Sequence, residues 1–316
     1  MKKKIFLITG SEGFIGSHLI NFLKKKNYII YGSYYKKKRL SKVRGVTYYK
    51  CDVRNSAHVE HLLKRTKPDI IFHLAAKSHP NFSLKKPLET IMTNTIGTAN
   101  ILEYLRILKF KSKLIIACSS AQYGVRKINE LPMKEDQAYK PEHIYGLSKV
   151  FQDNLATQYF KMFNIKTLRA LIFNTSGPGK KNDVFYDLCK QFSSQRNKKK
   201  IQIKVGNLNN YRDFMHVDDV VRALYTISLK GQIGDNYNIS SERLIRVSKI
   251  IDIFLELAGN KKLLLIKKNF LYRKFDEKYI GGDNSKLKKI GWLPVKNIKD
   301  IVLDMLNFNS KKNEQK

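Results

Sequence analysis

No stretch of this 316-residue chain approaches the ~18 consecutive apolar residues that a membrane-crossing helix needs. The start, Met1 and three lysines followed by apolar residues 5–8, resembles the head of a secretion signal. Its apolar run stops at Thr9-Gly10, short of the ~7–15 residues required. Cysteine is scarce: Cys51, Cys118 and Cys189 are an odd number, far apart, with no metal-ligand spacing. They are expected as buried thiols in a reducing cytoplasm, which excludes a disulfide framework and a zinc module. Acidic residues are few, 26 Asp+Glu against 61 Lys+Arg, giving a net charge of +35 and a pI near 10.0. Such an excess invites nucleic-acid binding. Yet the lysine triplets at 2–4, 24–26, 36–38 and 198–200 are scattered along the chain, and Lys outnumbers the Arg fork that base readout favours. The expectation is a solvated lysine-rich surface, with no dedicated nucleic-acid partner and no membrane partner.

What is present describes a folded globule: 42% hydrophobic and 28% charged residues. The length suits two lobes at ~100–200 residues per domain. Short apolar runs at 4–9, 28–34, 46–51, 70–74, 113–118 and 167–173 alternate with amphipathic stretches at 14–26, 57–65, 88–108 and 145–163. Runs that are apolar throughout are strands buried on both faces. Strand–helix repetition of this kind predicts an α/β fold, a Rossmann-like doubly wound parallel sheet. After Gly177-Pro178-Gly179 the rhythm changes. Strands are expected at 201–205 and 236–239, and helices at 217–229, 246–257 and 298–306. The predicted plan is a dinucleotide-binding domain over 1–173 with 214–235 packed back on it, a smaller C-terminal α/β substrate lobe over 174–213 and 236–308, and a frayed tail at 309–316.

The segment Thr9-Gly10-Ser11-Glu12-Gly13-Phe14-Ile15-Gly16 leads from the first strand into a helix. Gly10 permits the tight turn, Gly13 lets backbone approach a pyrophosphate, and Gly16 lets helix and strand pack closely. Amides of Phe14 and Ile15 at the helix start would face that anion. NAD-binding chains carry an Asp or Glu near the end of the second strand for the ribose 2′-hydroxyl. Here that stretch reads Tyr34-Tyr35-Lys36-Lys37-Lys38-Arg39, with cations and no carboxylate. It predicts NADP, with Lys36 on the 2′-phosphate and NAD as the alternative. Asp52, followed by Val53, is expected at the adenine amino group.

Tyr145 and Lys149 are four apart on one helix face. A nearby ammonium favours phenolate, so the tyrosine pKa is expected to move down from ~10. Ser119, at the end of the fifth strand, would bond the reacting oxygen. The trio suits proton exchange with a sugar alcohol while hydride moves at a nicotinamide.

Together with His73-Leu74-Ala75-Ala76, these motifs resemble the extended short-chain dehydrogenase/reductase family of nucleotide-sugar enzymes. The segments 67–78, 173–179, 205–208, 212–214, 282–287 and 291–292 are similar to GDP-mannose 4,6-dehydratases and GDP-4-dehydro-6-deoxymannose reductases. The resemblance implies that Leu74, Ala75 and Ala76 line the cofactor. It implies that Ser120, Asn174, Val205, Arg212 and Arg273 meet a GDP-linked sugar, the two arginines holding its diphosphate. It also implies a homodimer or homotetramer paired through helix 145–163.

One position departs from that pattern. The dehydratases place a Glu two residues after the catalytic serine or threonine, and here that residue is Ala121. Dehydration would need His79, Glu130 or Glu135 as substitute acid or base. The expected reaction is therefore 4-keto reduction or 4-epimerisation of a GDP-hexose, with dehydration through a non-standard base as the alternative. The alternative of another class is a non-catalytic dinucleotide- or RNA-binding protein.

Overall fold

The computed structural model describes residues 3–36, 43–195, 197–259, 262–268 and 277–314. The chain opens with β1 (Ile5–Thr9), α1 (Phe14–Lys24), β2 (Ile29–Tyr34), β3 (Thr47–Lys50), α2 (Ser56–Thr66) and β4 (Ile70–His73). It continues through α3 (Pro80–Lys85), α4 (Pro87–Ile91), a π-turn (Met92–Ile96), α5 (Gly97–Ile107), β5 (Lys113–Ser119), α6 (Ile144–Phe163) and β6 (Thr167–Ile172). A second lobe begins with β7 (Asn174–Ser176), α7 (Val184–Ser193), β8 (Lys200–Val205) and β9 (Tyr211–His216). The chain then returns through α8 (Val217–Lys230) and β10 (Asn236–Ile239). It finishes with β11 (Leu244–Arg246), α9 (Ser248–Ala258), β12 (Lys262–Lys267), β13 (Tyr279–Ile280), α10 (Ser285–Lys289) and α11 (Ile298–Glu314). No helix among the described residues is long and apolar enough to cross a membrane.

The large sheet runs β3-β2-β1-β4-β5-β6-β10, every neighbour parallel. Its strands are apolar on both faces because both faces are covered. Phe6 and Ile8 of β1 pack with Leu19, Ile20 and Leu23 of α1 and with Val220, Leu224 and Ile227 of α8. Leu7, between them, faces Leu62 and Leu63 of α2 and Leu102 and Leu105 of α5. The smaller core gathers α7, β8, α9 and α11 around Phe185, Ile203, Phe254 and Val302.

Three expectations need correction. The strand at 236–239, placed in the substrate lobe by its position in the chain, is the seventh strand of the large sheet, with Tyr237 paired to Ala170. The C-terminal segment follows it: Leu287 and Trp292 are buried in the large core, and Trp292 Nε1 donates to the Asp219 carbonyl at 3.2 Å. Residues 88–108 are not one helix. Thr95 and Thr98 hydroxyls turn back on the carbonyls of Ile91 and Asn94, and the π-turn there lets buried Asn94 bridge the main chain of Lys77 (2.8 and 3.1 Å) and the Ser148 hydroxyl (2.9 Å). Finally α11, expected to end near 306 ahead of a frayed tail, continues to Glu314.

Trp292 is the sole tryptophan and is 2% exposed. Trp292→Ala is expected to cost about 3–5 kcal/mol, read as a lowered urea midpoint by circular dichroism. An unchanged midpoint would remove the C-terminal segment from the large core.

Candidate active site

The glycine turn is tight because three backbone segments converge on it. Gly10 has φ +67°, and a Cβ there would lie 2.8 Å from the Ala75 main chain. A Cβ on Gly16 would lie 2.4 Å from the Gly10 carbonyl, so only glycine lets α1 sit on the turn. Gly13 caps α1 without any side-chain hydrogen bond, which leaves the first-turn amides of Phe14 and Ile15 uncapped at the positive end of the helix. This cradle fits a dinucleotide pyrophosphate. Leu74, Ala75 and Ala76 follow β4 along its edge, and Ala75 N donates to Thr9 Oγ1 at 3.2 Å. His73 sits beneath, between the hydroxyls of Thr9 (2.9 Å) and Thr98 (3.0 Å), and burial pushes its pKa down to about 3. It is a neutral structural imidazole.

The rim at the end of β2 differs from expectation. A carboxylate is present there after all, supplied by Glu12 of the glycine turn: Glu12 Oε1 accepts the Tyr35 amide at 2.9 Å. Its other oxygen, Oε2, is buried without a partner. Lys36 is exposed, its ammonium 5.6 Å from the Tyr35 ring centroid, and Lys37, Lys38 and Arg39 lie outside the described residues. Asp52 is already paired with a neighbouring guanidinium. Its carboxylate takes Arg54 Nε at 2.9 and 3.1 Å and Nη2 at 2.6 Å, and the guanidinium bonds hold its pKa below the usual carboxylate range. Arg54 also donates to the Tyr35 hydroxyl at 3.1 Å. Val53 is core, and its carbonyl accepts from Asn100 at 2.8 Å.

Ser119, Tyr145 and Lys149 are brought together, all at most 8% exposed. Lys149 Nζ lies 5.9 Å from the Tyr145 ring centroid and donates to the Ala117 carbonyl at 2.6 Å. The expected acidification of the tyrosine is not what this pocket does. Burial pushes Tyr145 up to about 12, against a smaller downward pull from its hydrogen bond with Ser119. The same burial pushes Lys149 down to about 8. Desolvation disfavours both charged forms and is the largest effect on each.

Beneath the trio lies a network that sequence reasoning missed. Gln122 accepts the Ser119 amide at 3.0 Å and donates to Asp153 Oδ2 at 3.3 Å. Asp153 also takes the Tyr139 hydroxyl at 3.0 Å and pairs with Arg169 Nε at 3.2 Å. The available signal was spacing: residues 145, 149 and 153 fall four apart on one face of α6.

The substrate side is less convergent. Ser120 is buried in the turn after Ser119, and Asn174 Nδ2 reaches the Asp213 carbonyl at 3.3 Å. Val205 is packed into the small-lobe core, so its side chain offers no exposed surface to a base. Arg212 is buried, with Nη1 donating to the carbonyls of Tyr211 (2.9 Å) and Lys278 (3.3 Å). Arg273 lies outside the described residues. The three substitute acids or bases are all engaged: His79 Nε2 with the Asn182 carbonyl (3.1 Å), Glu130 with Arg126 and the Lys127 amide, and Glu135 with the Asn238 amide (2.8 Å).

Residues 7–305 match the family described as GDP-mannose 4,6 dehydratase. A GDP-6-deoxy-D-talose 4-dehydrogenase of Aggregatibacter actinomycetemcomitans is 31% identical over 289 residues, 90% of each chain. A GDP-6-deoxy-D-mannose reductase of Pseudomonas aeruginosa is 26% identical over 245 residues, 76% of this chain and 80% of the relative. The solved structure of RMD from Pseudomonas aeruginosa, complexed with NADPH, superposes with a TM-score of 0.84 at 22% identity, covering 98% of this chain and 100% of that one. The chain belongs to the GDP-mannose 4,6-dehydratase family of nucleotide-sugar enzymes.

Proposed function

We propose that the protein is an NAD(P)-dependent oxidoreductase that reduces or epimerises carbon 4 of a GDP-linked hexose, with Ser119, Tyr145 and Lys149 as its catalytic residues. The observation that carries this reading is the buried trio at the open end of β5 and the start of α6, with Ala121 where a dehydratase needs an acid. Two relatives carry redox chemistry without dehydration in their names, one a reductase and one a 4-dehydrogenase, while others are named 4,6-dehydratases. The hydrogen bonds of His79, Glu130 and Glu135 run to Asn182, Lys127 and Asn238 rather than to the trio.

A bound nicotinamide dinucleotide supplies or accepts the hydride. The residues handle the proton. With its pKa near 12, Tyr145 is a phenol throughout the neutral range and can donate to the oxygen that forms when a 4-keto group is reduced. Ser119 offers a hydroxyl to the same oxygen, and the Gln122 clamp on its amide fixes where that hydroxyl stands. Lys149, charged below pH about 8, places a positive charge beside the developing alkoxide. The cytoplasm suits three buried free thiols.

Pairing of two copies is part of the proposal. Leu88, Ile91, Met92 and Ile96 of the α4–π segment and Leu147 and Phe151 of α6 are exposed on adjoining helices. A continuous apolar face of this kind is what an isologous dimer buries.

Tyr145→Phe is expected to lower hydride transfer to a GDP-4-keto-6-deoxyhexose by about 10²–10⁴-fold while the fold persists by circular dichroism. Formation of a 4-keto-6-deoxy product from GDP-mannose would overturn the reductase–epimerase reading. In the reductive direction kcat should fall above pH about 8 as Lys149 loses its proton, and Lys149→Arg should abolish that alkaline limb. A limb unchanged in Lys149→Arg would separate Lys149 from the proton chemistry. Sedimentation should give a dimer that Leu88→Glu with Phe151→Glu converts to monomer, and a monomeric parent protein would refute the pairing.

A further inference from the structure

We propose that the edge of the large sheet farthest from the catalytic trio docks the protein on an anionic lipid surface, lysine ammoniums meeting the headgroup phosphates. The proposal stands apart from the reading of the trio, which lies at the other end of the strands.

The cations are scattered along the chain, and the fold gathers them. Strands β1 to β6 all run parallel, so their amino ends form one edge. A cation stands at most three residues ahead of every one of them. In spatial order these are Arg44 before β3, Lys26 before β2, Lys4 before β1, Lys67 before β4, Lys111 before β5 and Lys166 before β6. The Lys4 carbonyl accepts the Ile29 amide at 3.1 Å and the Lys166 carbonyl the Leu114 amide at 2.8 Å, which holds the row in register. Strands lie ~4.8 Å apart, so neighbouring charges fall within the ~10 Å Debye length of 0.1 M salt and act together.

Among the described residues none of the six pairs with a carboxylate. The acids at this edge are engaged elsewhere: Asp69 accepts the Ile5 amide, Asp235 holds Lys286, and Glu60 and Glu103 pair with Lys64 and Arg106. A single lysine per helix end would only offset the helix dipole. Here the triplet Lys24-Lys25-Lys26 falls on the edge whole. The Lys113 ammonium, drawn down first by burial, is drawn down further by Lys4 and Lys166.

Two features select a lipid surface over a nucleic-acid strand. Helices α1, α2, α5 and α6 all end here, so the edge presents helix carbonyls, where cradling one phosphate would need amides. Recognition is left to long lysine stems, which suit a diffuse charged plane. Ile107 at the end of α5 and Met162 near the end of α6 protrude among them, 51% and 69% exposed. The two helix ends adjoin, with Arg106 5.3 Å from the Phe163 ring. Basic stems with apolar tips between them hold a protein at the headgroup boundary. The trio, at the opposite end of the strands, then faces solution.

The test is sedimentation of the full-length protein with vesicles of phosphatidylcholine alone, or of phosphatidylcholine and phosphatidylglycerol in equal parts. The mixed vesicles should carry the protein down at about 0.1 M salt and release it at about 1 M, and the neutral ones should leave it in solution. Each cation near such a surface is worth about fivefold in binding, so Lys4→Glu, Lys26→Glu and Lys111→Glu together should weaken it by at least about a hundredfold. The corresponding Gln triple serves if thermal midpoints show the Glu triple misfolded. Lys140→Glu, Lys200→Glu and Lys249→Glu make the same charge change away from this edge and should keep most of the binding. No binding to the mixed vesicles, equal binding to the neutral ones, or equal weakening by both triples would overturn the proposal. So would tighter binding to a single-stranded RNA than to the mixed vesicles at the same salt, which would make nucleic acid the partner.

Discussion

The geometry of the candidate catalytic pocket depends on one buried carboxylate. Asp153 lies inside the large lobe with its side chain 4% exposed, where an unpaired charge costs several kcal/mol. It is tolerated because Arg169 of β6, Tyr139 and Gln122 all converge on it. Those partners come from a strand, a loop and the turn after β5, so they meet only when α6 is seated at one rotation and one height. That rotation also sets Tyr145 and Lys149, which share the face. Gln122 carries the constraint onward to the Ser119 amide. A polar network with no chemistry of its own thus fixes three residues that are proposed to do chemistry.

A second constraint sits on the cofactor side. The turn after β1, the loop after β4 and the π-turn before α5 are tied in series: Thr9 to Ala75, Asn94 to Lys77, and Asn94 to Ser148 on α6. Glycines at 10 and 16 let the first of these come within van der Waals distance. The crevice wall and α6 are therefore one hydrogen-bonded unit rather than two surfaces that happen to face each other.

The large sheet was legible in the chain because its strands are short apolar runs and its crossovers are amphipathic, which are local signals. What escaped was non-local. Glu12 is two residues past Gly10 and reads as a turn residue; only the folded chain carries it to the end of β2. The strand 236–239 looks like a small-lobe strand until β6 is seen to lack a neighbour on that side. The π-turn hides within residues 88–108 because its cause is a set of hydroxyl-to-carbonyl bonds, not a break in hydrophobicity. Tyr145 was read as a tuned acid from its spacing to Lys149, and the spacing was sound. Burial, which spacing does not encode, decides the sign of the shift.

The return of β10 to the large sheet has a consequence for how the chain is made. A ribosome releases β1 to β6 first, leaving one side of β6 as a bare row of amides and carbonyls beside uncovered apolar residues. Its cover, α8 and β10, emerges only after β7, α7, β8 and β9 have intervened, and Leu287 and Trp292 follow after β11, α9, β12 and β13. The nascent protein therefore carries an incomplete sheet until residues 236–239 are made, and the larger core is finished later still by Leu287 and Trp292.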